Sequence, residues 1–191
     1  MKKIFLLPAL ALFMACNSDS SKTSETVAKD TVSPMPSNMP PDTSAAKSSM
    51  MNNDFVNDVA NVGMMEVELG KLAQTNAKSS DVKEYGKMMV DDHTAAGNAL
   101  KDIAAAENIS MPSAMSAEHQ GHVSDMQSKM GADFDKAYID MMVEGHTKVL
   151  EEFKTNATSN ADAKVKEFAS NTIPTLQKHL DKAKKIQAKL K

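Results

Sequence analysis

Four side chains able to bind a metal ion interrupt apolar stripes of helical period. Glu66 falls between Val62 and Leu69, His93 between Met89 and Ala96, His146 between Val143 and Leu150, and His179 between Leu176 and Ala183. Steps of three and four residues place each of them on the face of its helix that carries the apolar side chains, the face expected to turn inwards. A buried carboxylate or imidazole has to find a partner, water or a ligand. Glutamate and histidine converging from facing helices are the means by which helical bundles hold metal ions, so Glu66, His93, His146 and His179 form a candidate site for a divalent ion or copper. A buried Glu–His hydrogen-bond network without metal would leave the same pattern in the sequence.

Depth along the helices refines this expectation. Counted from the first interhelical turn, Glu66 and His93 lie level. Counted from the polar turn Thr158-Ser159-Asn160, His146 and His179 differ by about seven residues, or ~10 Å along the axis, which leaves room for two half-sites as well as for one shared point. Asp91 and Glu144 each precede a histidine by two residues, which turns them onto another face. They are expected as outer partners of the histidines or of a neighbouring helix, not as chelators.

Other chemistry is weaker. His119 and His122, three apart, could chelate an ion or form an exposed polar pair. The 16 methionines could serve soft copper(I), or fill the core as adaptable apolar side chains. Lys178, Lys182, Lys184, Lys185, Lys189 and Lys191 could meet an anionic surface or complement the negative end of a helix dipole. No nucleophile–base triad, phosphate loop or zinc-protease signature is present, so no catalytic residue is expected. All 22 basic residues are lysine and the net charge is −3. Without arginine forks, nucleic acid is not an expected partner.

The elements that must position these groups are helices. The first carries Phe55, Val59, Val62, Glu66, Leu69 and Ala73; the second, opening near Ser80, carries Val82, Gly86, Met89, His93, Ala96, Leu100 and Ile103. Pro112 interrupts a long connection that holds a short helix over about 117–130, stopped by Gly131. The third long helix opens near Asp133 and carries Ile139, Val143, His146, Leu150 and Phe153. The fourth carries Val165, Ala169, Thr172, Leu176, His179, Ala183, Ile186 and Leu190, and contains Pro174. Together they predict an all-α four-helix bundle over 51–191, with a short extra helix between the second and third long helices.

The N-terminus reads as an export signal. Met1-Lys2-Lys3, the apolar run from Ile4 to Ala15 and then Cys16 match a signal peptide over 1–15. That run is shorter than the ~20 residues that span a bilayer. Phe13-Met14-Ala15-Cys16 resembles a bacterial lipobox, which implies that Cys16 is lipidated and anchors the chain to a membrane. Asn17 follows it where an inner-membrane retention signal would have aspartate, favouring the outer membrane and periplasm. Residues 16–50, rich in Ser, Thr, Pro and Asn, are expected as a disordered tether.

Glu66-Val67-Glu68-Leu69-Gly70-Lys71-Leu72-Ala73, Met89-Val90-Asp91-Asp92-His93, Phe134-Asp135-Lys136-Ala137-Tyr138 and Thr172-Ile173-Pro174-Thr175-Leu176-Gln177-Lys178-His179-Leu180 resemble, in order, the bacterial domain-of-unknown-function family numbered 4142. That resemblance implies a ferritin-like bundle, exported or at the outer membrane, with no established activity. Ferritin-like di-iron enzymes place a glutamate three residues before a histidine on two helices; here Val90, Val143 and Leu176 hold those places. The expected function is therefore a non-enzymatic, lipid-anchored envelope domain, with metal binding through Glu66, His93, His146 and His179 as the alternative.

Overall fold

The computed structural model describes the backbone of residues 43–190 and the side chains of 50–190. Signal peptide and Cys16 lie outside the described residues, as does most of the expected tether. Five helices follow in order: α1 (Thr43–Asn76), α2 (Ser80–Ala106), α3 (Ala117–Gln127), α4 (Gly131–Ser159) and α5 (Ala163–Lys189). α1 pairs with α2 and α4 with α5 as two hairpins, joined by α2 against α5 and α1 against α4. An isolated parallel bridge between Ala77 and Gly131 sets the starts of α2 and α4 side by side. α2, 27 residues and so roughly 40 Å long, therefore runs parallel to α4, and the connection holding α3 must return the length of the bundle. This is the ferritin-like arrangement expected, with its short extra helix in the long connection.

Boundaries differ from the periodic pattern in three places. α1 begins at Thr43, eight residues before the expected domain, inside the stretch expected as tether. Ala45, Ala46, Lys47 and Met50 favour helix, and a helix already anchored by buried Phe55 and Val56 extends by propagation alone. Gly131 does not stop the short helix, which ends at Gln127; with φ of 64° it turns the chain into α4. α4 runs through Thr158 to Ser159, and Asp162 caps α5 by accepting from the backbone N–H of Lys164 and Val165, each at 2.9 Å.

The interior is divided. One apolar cluster gathers Leu69, Tyr85, Met89, Phe134, Tyr138, Met142 and Ile186. The other gathers Phe55, Leu100, Leu150, Phe153, Phe168 and Leu176. On α1, α2 and α4 the residue expected to bind metal falls in sequence where one cluster gives way to the other, and on α5 His179 lies just before that change, which falls between Leu180 and Ala183.

Two local devices hold these elements in register. Asp135, buried on α4, accepts from the backbone N–H of Lys78 (3.0 Å) and Ser79 (2.9 Å), satisfying the chain as it enters α2. Gly70 and Gly86 let α1 and α2 touch backbone to backbone. A Cβ on Gly86 would lie 2.6 Å from the Ala73 Cβ and 2.7 Å from the Gly70 carbonyl oxygen. Gly86→Ala is therefore expected to push the helices apart and lower stability by about 1–3 kcal/mol, read from the midpoint of chemical unfolding.

Candidate metal centre

Glu66, His146 and His179 are 3 %, 1 % and 1 % exposed, and only the edge of His93 reaches solvent. All four side chains meet. Glu66 Oε2 lies 3.0 Å from His93 Nε2, and Glu66 Oε1 3.6 Å from His146 Nδ1. The ring centroids of His93, His146 and His179 are 5.3–6.0 Å apart. Each ring offers one nitrogen to a common space, all three within 4.8 Å of one another. Among the described residues this is the one group of three or more His, Cys, Asp or Glu side chains so arranged.

The expected separation of His146 from His179 is thus corrected: His146 Nε2 and His179 Nδ1 are 3.3 Å apart. Because α4 continues to Ser159 and α5 starts at Ala163, the two histidines lie thirteen and sixteen residues from their hairpin ends, a much smaller offset than the polar turn suggested. Side chains on a helix lean towards its N-terminus, which carries His146 away from the turn and His179 towards it. Both leans close the remaining gap.

Hydrogen bonds on the far side of each ring decide where its proton sits. His146 Nδ1 lies 2.9 Å from the Met142 carbonyl oxygen, which can only accept, so Nδ1 carries the hydrogen and Nε2 the lone pair. His179 Nε2 donates to Asp92 Oδ2 at 2.8 Å, which leaves the lone pair on Nδ1. Two lone pairs consequently face each other across 3.3 Å with no proton of their own between them. A cation is the natural occupant of such a gap. Two nitrogens at ~2.0–2.1 Å from a tetrahedral zinc ion would stand about 3.3–3.4 Å apart, close to the spacing found.

A proton is a poor substitute. Burial, together with the His179 ring, lowers His146 to about 4. Burial also lowers His93, with His146 and His179 adding to it. In His179 burial outweighs the opposing hydrogen bond to Asp92. Glu66 is pushed up to about 8 by burial alone. His93 Nε2, although close to Glu66, makes no aligned hydrogen bond with it and is a buried nitrogen without a partner.

Asp91 and Glu144 do not support the histidines. They are exposed and pair along their own helices with Lys87 and Lys148. Asp92 takes that role instead. One residue before His93 it points about 100° round α2, towards α5; two residues before, Asp91 is carried round to solvent. The sequence contains the Asp-His pair but not the identity of the helix on that side. His119 stacks no closer than 6.4 Å to His122 and bonds Ser116 Oγ at 2.7 Å, at the capped start of α3. Met89, Met126 and Met142 fill the core.

Fold and site define an all-α, ferritin-like bundle whose interior carries a three-histidine cluster that could hold a metal ion, with Glu66 beside it. The chain belongs to the family described as Domain of unknown function (DUF4142), which matches residues 37–186. Neither the curated proteins nor the solved structures contain a match.

The shifted groups set the acid–base behaviour of the metal-free protein. Unfolded, Glu66 ionises near 4.5 and the histidines near 6.5. Neutral buried histidines contribute stability that is lost as pH falls below 6.5, and three of them outweigh Glu66 there. The neutral Glu66 contributes stability that is lost as pH rises from 4.5 towards 8, and it prevails only once the unfolded-state histidines have lost most of their protons, near pH 7. In thermal melts the stability of metal-free protein should peak near pH 7, and the alkaline fall beyond it, under about 1 kcal/mol by pH 8, should vanish in Glu66→Gln.

Proposed function

We propose that this chain is a metal-binding protein whose bundle holds one divalent transition-metal ion through His93, His146, His179 and Glu66, with Asp92 orienting His179. The observation that carries this reading is the pair of facing lone pairs on His146 and His179. Three imidazoles and a carboxylate suit zinc, copper(II), nickel or iron(II) better than copper(I), which prefers thiolate and thioether. Asp92–His179 has the form of the carboxylate–histidine pairs that fix ring orientation at metal sites. When bound, the ion would draw the proton from Glu66, so that uptake releases protons.

We further propose, from the N-terminal sequence, that Cys16 carries acyl chains and holds the protein at a membrane of the cell envelope, the outer membrane being the favoured address. Among the described residues no helix is long and apolar enough to cross a membrane. The reading is of a binding protein; it assigns no catalytic residue.

Purified full-length protein, stripped and then titrated with Zn2+ or Cu2+, should take up one ion per chain. At a hundred times Kd the ion should add about 2.7 kcal/mol of stability, a rise in Tm of roughly 5–11 °C. Asp92→Asn should weaken binding by roughly 10–100-fold, and His179→Ala should abolish it. A protein that takes up no metal and melts unchanged would leave the cluster as a hydrogen-bonded network and end this reading. For the anchor, Cys16→Ser should move the protein from the membrane fraction to the soluble fraction and remove labelling by a fatty-acid analogue; unchanged fractionation would overturn it.

A further inference from the structure

The stripes that carry the metal-binding residues are not closed around them. Val59, Val62, Ala96 and Thr172, all stripe positions near the cluster, are only half-buried. They line a cavity of ≈ 40 Å³ whose polar end is made by Glu66, His93, His179 and Asp92. Phe153, Phe168 and Leu176 complete apolar walls, and exposed Asp58 marks where it meets solvent. His146 is not among its lining residues. The cavity therefore approaches the cluster from the side away from His146, between the other three groups.

Thr172, Thr175 and Leu176 of α5 line one side of the cavity. Across the cavity Gly63 contributes no side chain, and a Cβ placed on it would meet nothing within 4 Å. A volume of ≈ 40 Å³ has room for about three water molecules, or for one linear triatomic molecule. Larger spaces adjoin it: Val59, Gly63, His93 and Ala96 also line a pocket of ≈ 630 Å³.

We infer that the metal centre is an open one, in which the ion keeps a coordination position facing this cavity and accepts a small exogenous ligand, a triatomic anion or neutral molecule. This rests on the metal-binding reading. A structural site would be closed by protein ligands on all sides; here a cavity reaches three of the four groups, and His93 Nε2 beside it has no hydrogen-bond partner.

The test uses full-length protein loaded with Co2+, whose visible absorption weakens when a fifth ligand joins four. Azide should change that spectrum saturably. Gly63→Leu and Val62→Phe, which fill the cavity from neighbouring positions, should each bind the same amount of cobalt but weaken azide at least tenfold. Cobalt bound with no response to azide would overturn the open centre while sparing the metal site. Azide binding unaffected by both variants would also overturn it, since the cavity would then not be the route. If no cobalt binds, the metal reading fails and takes this inference with it.

Discussion

A layer of polar side chains buried between two apolar clusters is the constraint on which the rest of this structure depends. Glu66, His93, His146 and His179 are withdrawn from water, and an ionised group there would be costly without a partner. Burial therefore drives all four towards their neutral forms, in opposite directions for acid and base. The outer hydrogen bonds of His146 and His179 turn their lone pairs inwards, so the layer could receive a cation instead of holding a set of charges.

The scaffold is arranged to hold that layer in place. Each hairpin supplies two of the four groups, and the hairpins meet along α2–α5 and α1–α4. The glycine contact of Gly70 with Gly86 lies one turn from Glu66 and two from His93, so the approach of the two backbones sets how near that pair can come. Asp135 and the Ala77–Gly131 bridge pin the starts of α2 and α4 together, which keeps His93 and His146 level. Apolar packing alone would allow helices to slide by a turn; a polar layer whose members need one another penalises such slips.

The site differs from a di-iron centre in its donors. One glutamate and three histidines gather, and the places three residues before His93, His146 and His179 are apolar. Carboxylates that would bridge two ions are lacking among them, so the cluster fits a single ion. Beside these groups Gly63 leaves space that a side chain would otherwise take, since a Cβ placed on it would meet nothing within 4 Å.

Four amphipathic helices, their order, the extra helix and the inward face of each candidate ligand were all determined by residue spacing, because a 3.6-residue period fixes which side chains share a face whatever the helix packs against. The level meeting of Glu66 and His93 was legible too, since a short turn leaves little freedom between α1 and α2. Tertiary structure decided the rest. Whether His146 reaches His179 depended on where α4 ends and on the lean of side chains across an antiparallel pair, and a few residues' error in the turn had separated them by two helical turns. Asp92 became the partner of His179 only because α5 lies on that side of α2. Neighbouring positions on a helix point in directions that spacing specifies; what stands in those directions is set by packing between segments distant in the chain.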